Sequence, residues 1–156
     1  MIENTPDIKV PIIKDGVSNI LSLKDEFKNK RLILFGVPGA FTPTCSEKHL
    51  PGYIKLYDSF KKKRIDEIYC MSVNDHYVMK SWLISYSEDH HIRGIADGNA
   101  EISKFYNLIT DKSKNFMGYR CVRFAMFIEN NQLKSLKVEE PGELKVSSAE
   151  NMILEI

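Results

Sequence analysis

The chain has 156 residues, 43% of them hydrophobic and 28% charged, with a formal net charge of +1. That length fits a single domain over residues 1–156, able to bury a core without disulfides or a structural metal. The near-neutral charge and the lack of any apolar run near the roughly 18 residues of a membrane span argue against nucleic-acid and membrane partners.

The opening ten residues carry Glu3 and Asp7 and no apolar stretch, so no secretory signal is expected there. Residues 32–37 (LILFGV) form a short apolar run closed by Gly36, Pro38 and Gly39, which predicts a strand buried on both faces. Residues 38–43 are turn-rich, and a helix is expected from about Thr44. Tyr53, Leu56, Tyr57 and Phe60 share one side of it, and Pro51, without an N–H, should kink it. The cations at 61–64 read as a solvated helix C-terminus. Residues 65–73 predict a second strand. Asn74-Asp75 is an N-cap for a helix through Val78, Trp82, Leu83 and Tyr86, in which Trp82 and Tyr86 read as core packing. A third strand over 92–96, a turn at 97–99 and a short helix over 100–106 follow. Residues 122–128 and 132–138 flank Glu129-Asn130-Asn131 as a hairpin. Ser147 with Glu150 forms a capping box for a last helix. Early alternation and a late hairpin predict an α/β class: a mixed central sheet with helices on both faces.

Chemistry concentrates in PGAFTPTC, residues 38–45. Cys45 falls in the first turn of a helix that follows a buried strand. Unpaired N–H groups and the positive end of the dipole favour an anion there, and the thiolate is the reactive form of cysteine. Thr42 can place a hydroxyl beside the sulfur. Pro38 and Pro43 stiffen the turn and shield it from water. Phe41 is a candidate wall for an apolar substrate pocket, or equally a core residue. A buried structural cysteine is the plain alternative for Cys45, and the whole arrangement outweighs it. His49, four residues on, shares a helical face with Cys45. It is read as structural, because a thiolate held by a helix terminus and an arginine needs no base. His76, His90 and His91 show no metal-ligand spacing and read as surface residues, so no metal or cofactor is expected.

The segment GVPGAFTPTCSEKHLPGY (36–53) closely resembles the active-site region of the type II, or peroxiredoxin-5-like, peroxiredoxins. The motif PxxxTxxC maps onto Pro38, Thr42 and Cys45. YCMSVND at 69–75 followed by Trp82, and RFAM at 123–126, are two further matching blocks, so the resemblance runs over residues 32–138. It implies a thioredoxin-like fold with N-terminal additions, and commonly a homodimer. It also implies a thiol-dependent peroxidase acting on hydrogen peroxide and alkyl hydroperoxides through a Cys45 sulfenic acid. By resemblance, the donors that stabilise the transition state are Arg123, the Cys45 N–H and the Thr42 hydroxyl. Arg120, close by, is the residue most easily confused with Arg123, which alone would read as a solvated strand-edge arginine.

Three cysteines, with no CxxC, suit a reducing intracellular compartment, cytoplasmic or otherwise; a processed organellar form would read the same. Cys70 and Cys121 are the internal candidates for a resolving thiol, and both are disfavoured. Cys70 sits in an apolar strand, where a thiol is buried and inert, although plant-type relatives carry a cysteine at that place. Cys121 is expected to be more accessible, yet matches no family resolver. The expected reductant is therefore external: glutathione with glutaredoxin, or thioredoxin. Two other readings share this pattern. A thioredoxin-like disulfide oxidoreductase lacks its CxxC here. A peroxide-sensing switch protein would begin with the same sulfenic acid and signal instead of turning over.

Overall fold

Strand pairing builds one seven-stranded sheet among the residues described by this computed structural model, 4–86 and 90–156. Residues 1–3, part of the stretch read for a leader, and 87–89 lie outside the described residues. The first two strands, β1 (Lys9–Lys14) and β2 (Val17–Ser22), make an antiparallel hairpin that the expectations above do not contain. Its turn is Asp15-Gly16, with φ of 50° and 78°. Asp-Gly supplies the left-handed pair that a two-residue hairpin turn needs. A short α1 (Leu23–Glu26) leads into β3 (Arg31–Gly36).

The expected helix after β3 is present in three pieces. A π-helical turn, Cys45–His49, comes first, then α2 (Leu50–Lys55) and α3 (Tyr57–Lys62). In the π turn the Leu50 N–H reaches the Cys45 carbonyl, five residues back. The expected kink at Pro51 is thus met by widening the turn before it, which is where such turns commonly occur at functional sites. Next come β4 (Glu67–Ser72), α4 (His76–Ile84), β5 (Arg93–Ala96) and α5 (Glu101–Phe105). Asp75 caps α4 as expected, accepting from the Val78 N–H at 2.9 Å. Two three-residue strands, β6 (Ile109–Asp111) and β7 (Tyr119–Cys121), pair as a separate ribbon that was not expected. The late hairpin is β8 (Phe124–Glu129) and β9 (Gln132–Val138), turned at Asn130-Asn131 with φ of 47° and 65°. The last helix, α6, spans Ala149–Met152. Its cap is Ser148, which accepts from the Asn151 N–H at 3.2 Å, not Ser147 as expected. The Ser147 hydroxyl is committed to Glu139 instead, at 2.7 Å.

The sheet order is β2-β1-β5-β4-β3-β8-β9, with β3, β4 and β5 parallel and the outer pairs antiparallel. This is a thioredoxin-like mixed sheet. One face packs under α2, α3, α4 and α6 through Phe35, Tyr53, Phe60, Trp82 and Met152. The other packs under α1 and α5 through Leu23, Phe27, Leu34, Ile102 and Phe124. Phe35 and Tyr53 stack at 4.0 Å with rings 9° apart, and Trp82 is buried as expected. Gly36 closes β3 because the Phe124 ring passes where a Cβ would stand, 2.0 Å away. No helix among the described residues is long and apolar enough to cross a membrane.

Candidate active site

The three parallel strands end together at Gly36, Ser72 and Ala96, and the loop carrying the sequence motif rises from the first of these ends. Openings at the carboxyl ends of parallel strands are where α/β folds collect their chemistry. Hydrogen bonds hold the loop. The Ala40 N–H donates to the Asn74 side-chain oxygen at 3.0 Å, and the Thr42 hydroxyl donates to the Gly39 carbonyl at 2.7 Å. Phe41 sits at φ 65° and is 56% exposed, so it is not a core residue. A left-handed conformation costs a non-glycine residue about 1–2 kcal/mol, which the surrounding hydrogen bonds must offset. Pro38 is half-buried and Pro43 exposed.

Cys45 itself is completely buried. The residue after it is pinned from α4: Trp82 Nε1 donates to Ser46 Oγ at 2.9 Å, and the Tyr86 hydroxyl donates to the Ser46 carbonyl at 2.6 Å. Trp82 and Tyr86 therefore fix the segment bearing the cysteine as well as filling the core. Arg123, immediately before β8, sends Nη2 to Cys45 Sγ at 3.2 Å and Nη1 to His49 Nδ1 at 2.9 Å. Arg120 points elsewhere, donating to the Met117 carbonyl at 2.9 Å and the Pro38 carbonyl at 3.3 Å. The structure thus separates the two arginines: one meets the thiol, the other staples the Pro38 loop.

His49 is buried, and its Nε2 lies 3.0 Å from the Ser147 carbonyl. A guanidinium only donates and a carbonyl only accepts, so both partners demand the tautomer with hydrogen on Nε2 and a lone pair on Nδ1. Burial, with the Arg123 charge beside it, pushes His49 down to about 3 and keeps it neutral. The imidazole is thus a fixed acceptor for Arg123, in keeping with its expected structural role. The Tyr53 hydroxyl shares the same Ser147 carbonyl at 2.7 Å. Ser147 is itself gripped by Glu139, whose Oε2 also takes the Ser147 N–H at 2.8 Å and the Lys145 N–H at 2.7 Å. Burial alone would raise the Glu139 carboxyl, but the bonds from Ser147 and Lys145 outweigh it and hold the group below its usual value. A cavity of about 140 Å³, lined by Pro38, Thr44, Val122, Arg123 and Glu139, opens beside the guanidinium.

Cys70 and Cys121 are free thiols, and both are completely buried. For Cys121 this corrects the expectation of greater accessibility: its Sγ donates to the Val37 carbonyl at 3.1 Å. Burial, with Asp97 nearby, pushes its thiol up to about 12. Burial, then the neighbouring Cys45, likewise drives the Cys70 thiol well above its ordinary value. Cys45 and Cys70 share one core face, and Cys121 packs on the other. His91 is exposed as expected. His76 and His90 are half-buried, and His90 Nε2 meets the Leu83 carbonyl at 2.9 Å, which corrects the surface reading for those two. Among the described residues no group of His, Cys, Asp or Glu could hold a metal ion. Sequence reasoning missed Ser46, Tyr53, Glu139 and the Ser147 carbonyl as parts of the site; they act through backbone groups or long-range bonds that leave no local motif.

The chain matches the redoxin family model over residues 4–153. It is 40% identical over 151 residues to peroxiredoxin-2D of Arabidopsis thaliana, covering 91% of this chain and 93% of that protein. Among solved structures it superposes on reduced Prx3 of Vibrio vulnificus in complex with hydrogen peroxide, with a TM-score of 0.91 and 38% identity over 98% of this chain and 96% of that one. The Plasmodium falciparum antioxidant protein, a 1-Cys peroxiredoxin, matches with a TM-score of 0.86 and 36% identity over 96% of this chain and 95% of that one.

Proposed function

The chain belongs to the redoxin family, as a thiol peroxidase of the peroxiredoxin kind, and on that footing we propose that Cys45 is the thiol that attacks the peroxide and Arg123 its activating cation. The observation that carries this assignment is the 3.2 Å hydrogen bond from Arg123 Nη2 to the buried Cys45 Sγ. The Cys45 thiolate attacks the terminal oxygen of a hydroperoxide in line. An S–O bond forms, the O–O bond breaks, and the leaving alkoxide or hydroxide takes a proton to depart as alcohol or water. Sulfur is oxidised by two electrons to the sulfenic acid. Negative charge moves from sulfur to the leaving oxygen, so a guanidinium already beside the sulfur stabilises the transition state without reorganising. The expected donor role of Thr42 is corrected: its proton is committed to the Gly39 carbonyl, so it serves the peroxide as an acceptor, with Pro38, Phe41 and Pro43 forming the walls. Cys45→Ser tests the assignment: peroxide consumption in the presence of a thiol reductant should vanish while the circular dichroism spectrum stays native. Retained turnover would overturn it.

The second half of the cycle is read as a one-cysteine route, and the thiols of Cys70 and Cys121 support it, because both are buried and held protonated. An external thiol, glutathione in the first instance, attacks the sulfenic sulfur and releases water, leaving a mixed disulfide. A second thiol, from glutaredoxin or another glutathione, then frees Cys45; thioredoxin is the alternative donor. The similarity to a protein described as a 1-Cys peroxiredoxin agrees with this route. Intact mass after one equivalent of peroxide should show sulfenic acid or its further oxidised forms, plus one glutathione when that thiol is supplied. Rapid, quantitative closure of a Cys45–Cys70 or Cys45–Cys121 disulfide would refute it. Homodimer formation, on family grounds, and a reducing intracellular compartment, from the cysteine usage, complete the proposal. Sedimentation giving monomer alone at micromolar concentration would remove the dimer.

A further inference from the structure

Arg123 is held at both ends by one segment of chain. The Glu139 N–H donates to the Arg123 carbonyl at 2.9 Å. At the far end of the side chain, Nη1 rests on His49, His49 rests on the Ser147 carbonyl, and Ser147 is fixed by the Glu139 carboxylate. Glu139 is 9% exposed, and Ser147 and His49 are 0% and 1% exposed. Each bond in this chain has one allowed direction. The carboxylate only accepts, so Ser147 donates with both N–H and Oγ–H. That fixes the backbone at Ser147, whose carbonyl faces His49 and Tyr53. The carbonyl only accepts, so the imidazole carries its hydrogen on Nε2. Nδ1 is then a lone pair, which anchors Nη1 and leaves Nη2 for the sulfur.

We infer that Glu139 and Ser147 are positioning residues for the peroxide reaction, acting on Arg123 through the tautomer and orientation of His49. The inference rests on the peroxidase reading given above and adds to it the segment from Glu139 to Ser147, which reaches Arg123 through His49. Without the Glu139 carboxylate, the Ser147 peptide is free to turn and the imidazole to exchange its tautomer. A hydrogen on Nδ1 would face a guanidinium donor and push Nη2 off the sulfur.

The experiment measures stopped-flow oxidation of Cys45 by hydrogen peroxide in full-length wild type, Glu139→Gln, Arg123→Ala and the double variant. Glu139→Gln should slow oxidation about 10–100-fold, the scale on which loss of a supporting hydrogen bond degrades a ligating histidine in metal sites. In the Arg123→Ala background the same substitution should have no further effect, because residues acting through one another are not additive. An unchanged rate in the single variant, or a full additive loss in the double, would overturn the inference. Should Glu139→Gln fail to fold, Ser147→Ala removes one donor and should give a smaller loss that also disappears without Arg123. Nitrogen-15 spectra of the His49 ring supply the readout that a purely structural role would not move: a single Nε2–H tautomer in wild type, a mixture in Glu139→Gln. A slowed rate with the tautomer intact would count against the mechanism. An active Cys45→Ser variant would fell the peroxidase reading itself, whereas an inert Cys45→Ser with an unaffected Glu139→Gln would fell only this inference.

Discussion

Two clusters of charge occupy opposite ends of the three parallel strands, and they are built on opposite plans. At the starting ends, Glu26, with a side chain only 5% exposed, is ringed by Lys14 at 2.5 Å, Lys30 at 3.1 Å and Arg93 at 3.5 Å, with the Tyr69 hydroxyl donating at 2.5 Å. Arg93 continues to Glu67 at 2.9 Å. At the finishing ends, Arg123 faces a thiol and a neutral imidazole, and among the described residues no carboxylate stands within ion-pair distance of it. In the first cluster every charge has an opposite partner, and so it holds the fold together. The second leaves a half-buried cation with its charge unspent, which is what a thiolate and a developing alkoxide require. A half-buried arginine with no carboxylate beside it among the described residues thus marks the reactive end.

The comparison breaks most sharply at Arg123. Arg123→Ala should slow peroxide oxidation of Cys45 by about 10²–10³, or 2.7–4 kcal/mol, the scale of a lost oxyanion-hole donor. Arg120→Ala should do far less, because Arg120 bonds backbone carbonyls of the loop. Equal losses in stopped-flow traces would erase the distinction drawn here. At the other end, Glu26→Gln should cost about 3 kcal/mol of stability, the low end for breaking a buried ion pair, since its cations keep part of their surface in water. Urea melts should register that loss, while peroxide turnover per folded molecule stays at the wild-type level.

Acid sharpens the contrast further. Burial alone would raise the Glu26 carboxyl, but Lys14, Tyr69 and Lys30 hold it below the ordinary 4.5. Its contribution is therefore complete above that value and is lost as pH falls through the depressed folded one. His49 is held down to about 3 against an ordinary 6.5. The unfolded chain takes up that proton first, so stability contributed by neutral His49 declines from about pH 6.5 toward 3. Melts across this range should slope in wild type and flatten in His49→Gln, whose amide can still accept from Arg123 and donate to Ser147. An identical slope in both would remove His49 as its source. The smallest effect expected is at Ser46→Ala, about 1 kcal/mol for the lost Trp82 bond, read as a shift in Tm.

How much the sequence disclosed depends on how local each signal is. Cys45, Thr42 and Pro38 fall within eight residues, and a motif of that length survives any ambiguity about packing. Arg123 was legible only because RFAM matched a known block; its bond to Cys45 spans 78 positions. The Glu139–Ser147–His49 relay left no trace, because it runs through backbone N–H and carbonyl groups, which carry no residue signature. Ser147 and Ser148 are equivalent as letters, and only the buried carboxylate beside Ser147 decides which of them caps α6. The first hairpin was there to be read in Asp15-Gly16 between apolar runs. The ribbon of β6 and β7 was not, since strands of three residues are too short to show alternation.

Complete burial of Cys45 also separates the two halves of the cycle by their response to heat. Hydrogen peroxide is far smaller than any protein and needs less of the π-helical turn to open. A thiol carried on a protein reductant, the alternative to free glutathione, would have to wait until that turn lets go of Leu50 and exposes the sulfur. Such an opening is a local part of unfolding, a process whose rate quickens roughly 3–6-fold for each 10 °C when it is global. Warming should therefore hasten regeneration by a protein reductant far more steeply than oxidation, so that the fraction of enzyme resting as sulfenic acid falls as temperature rises, up to the point where the sheet itself melts.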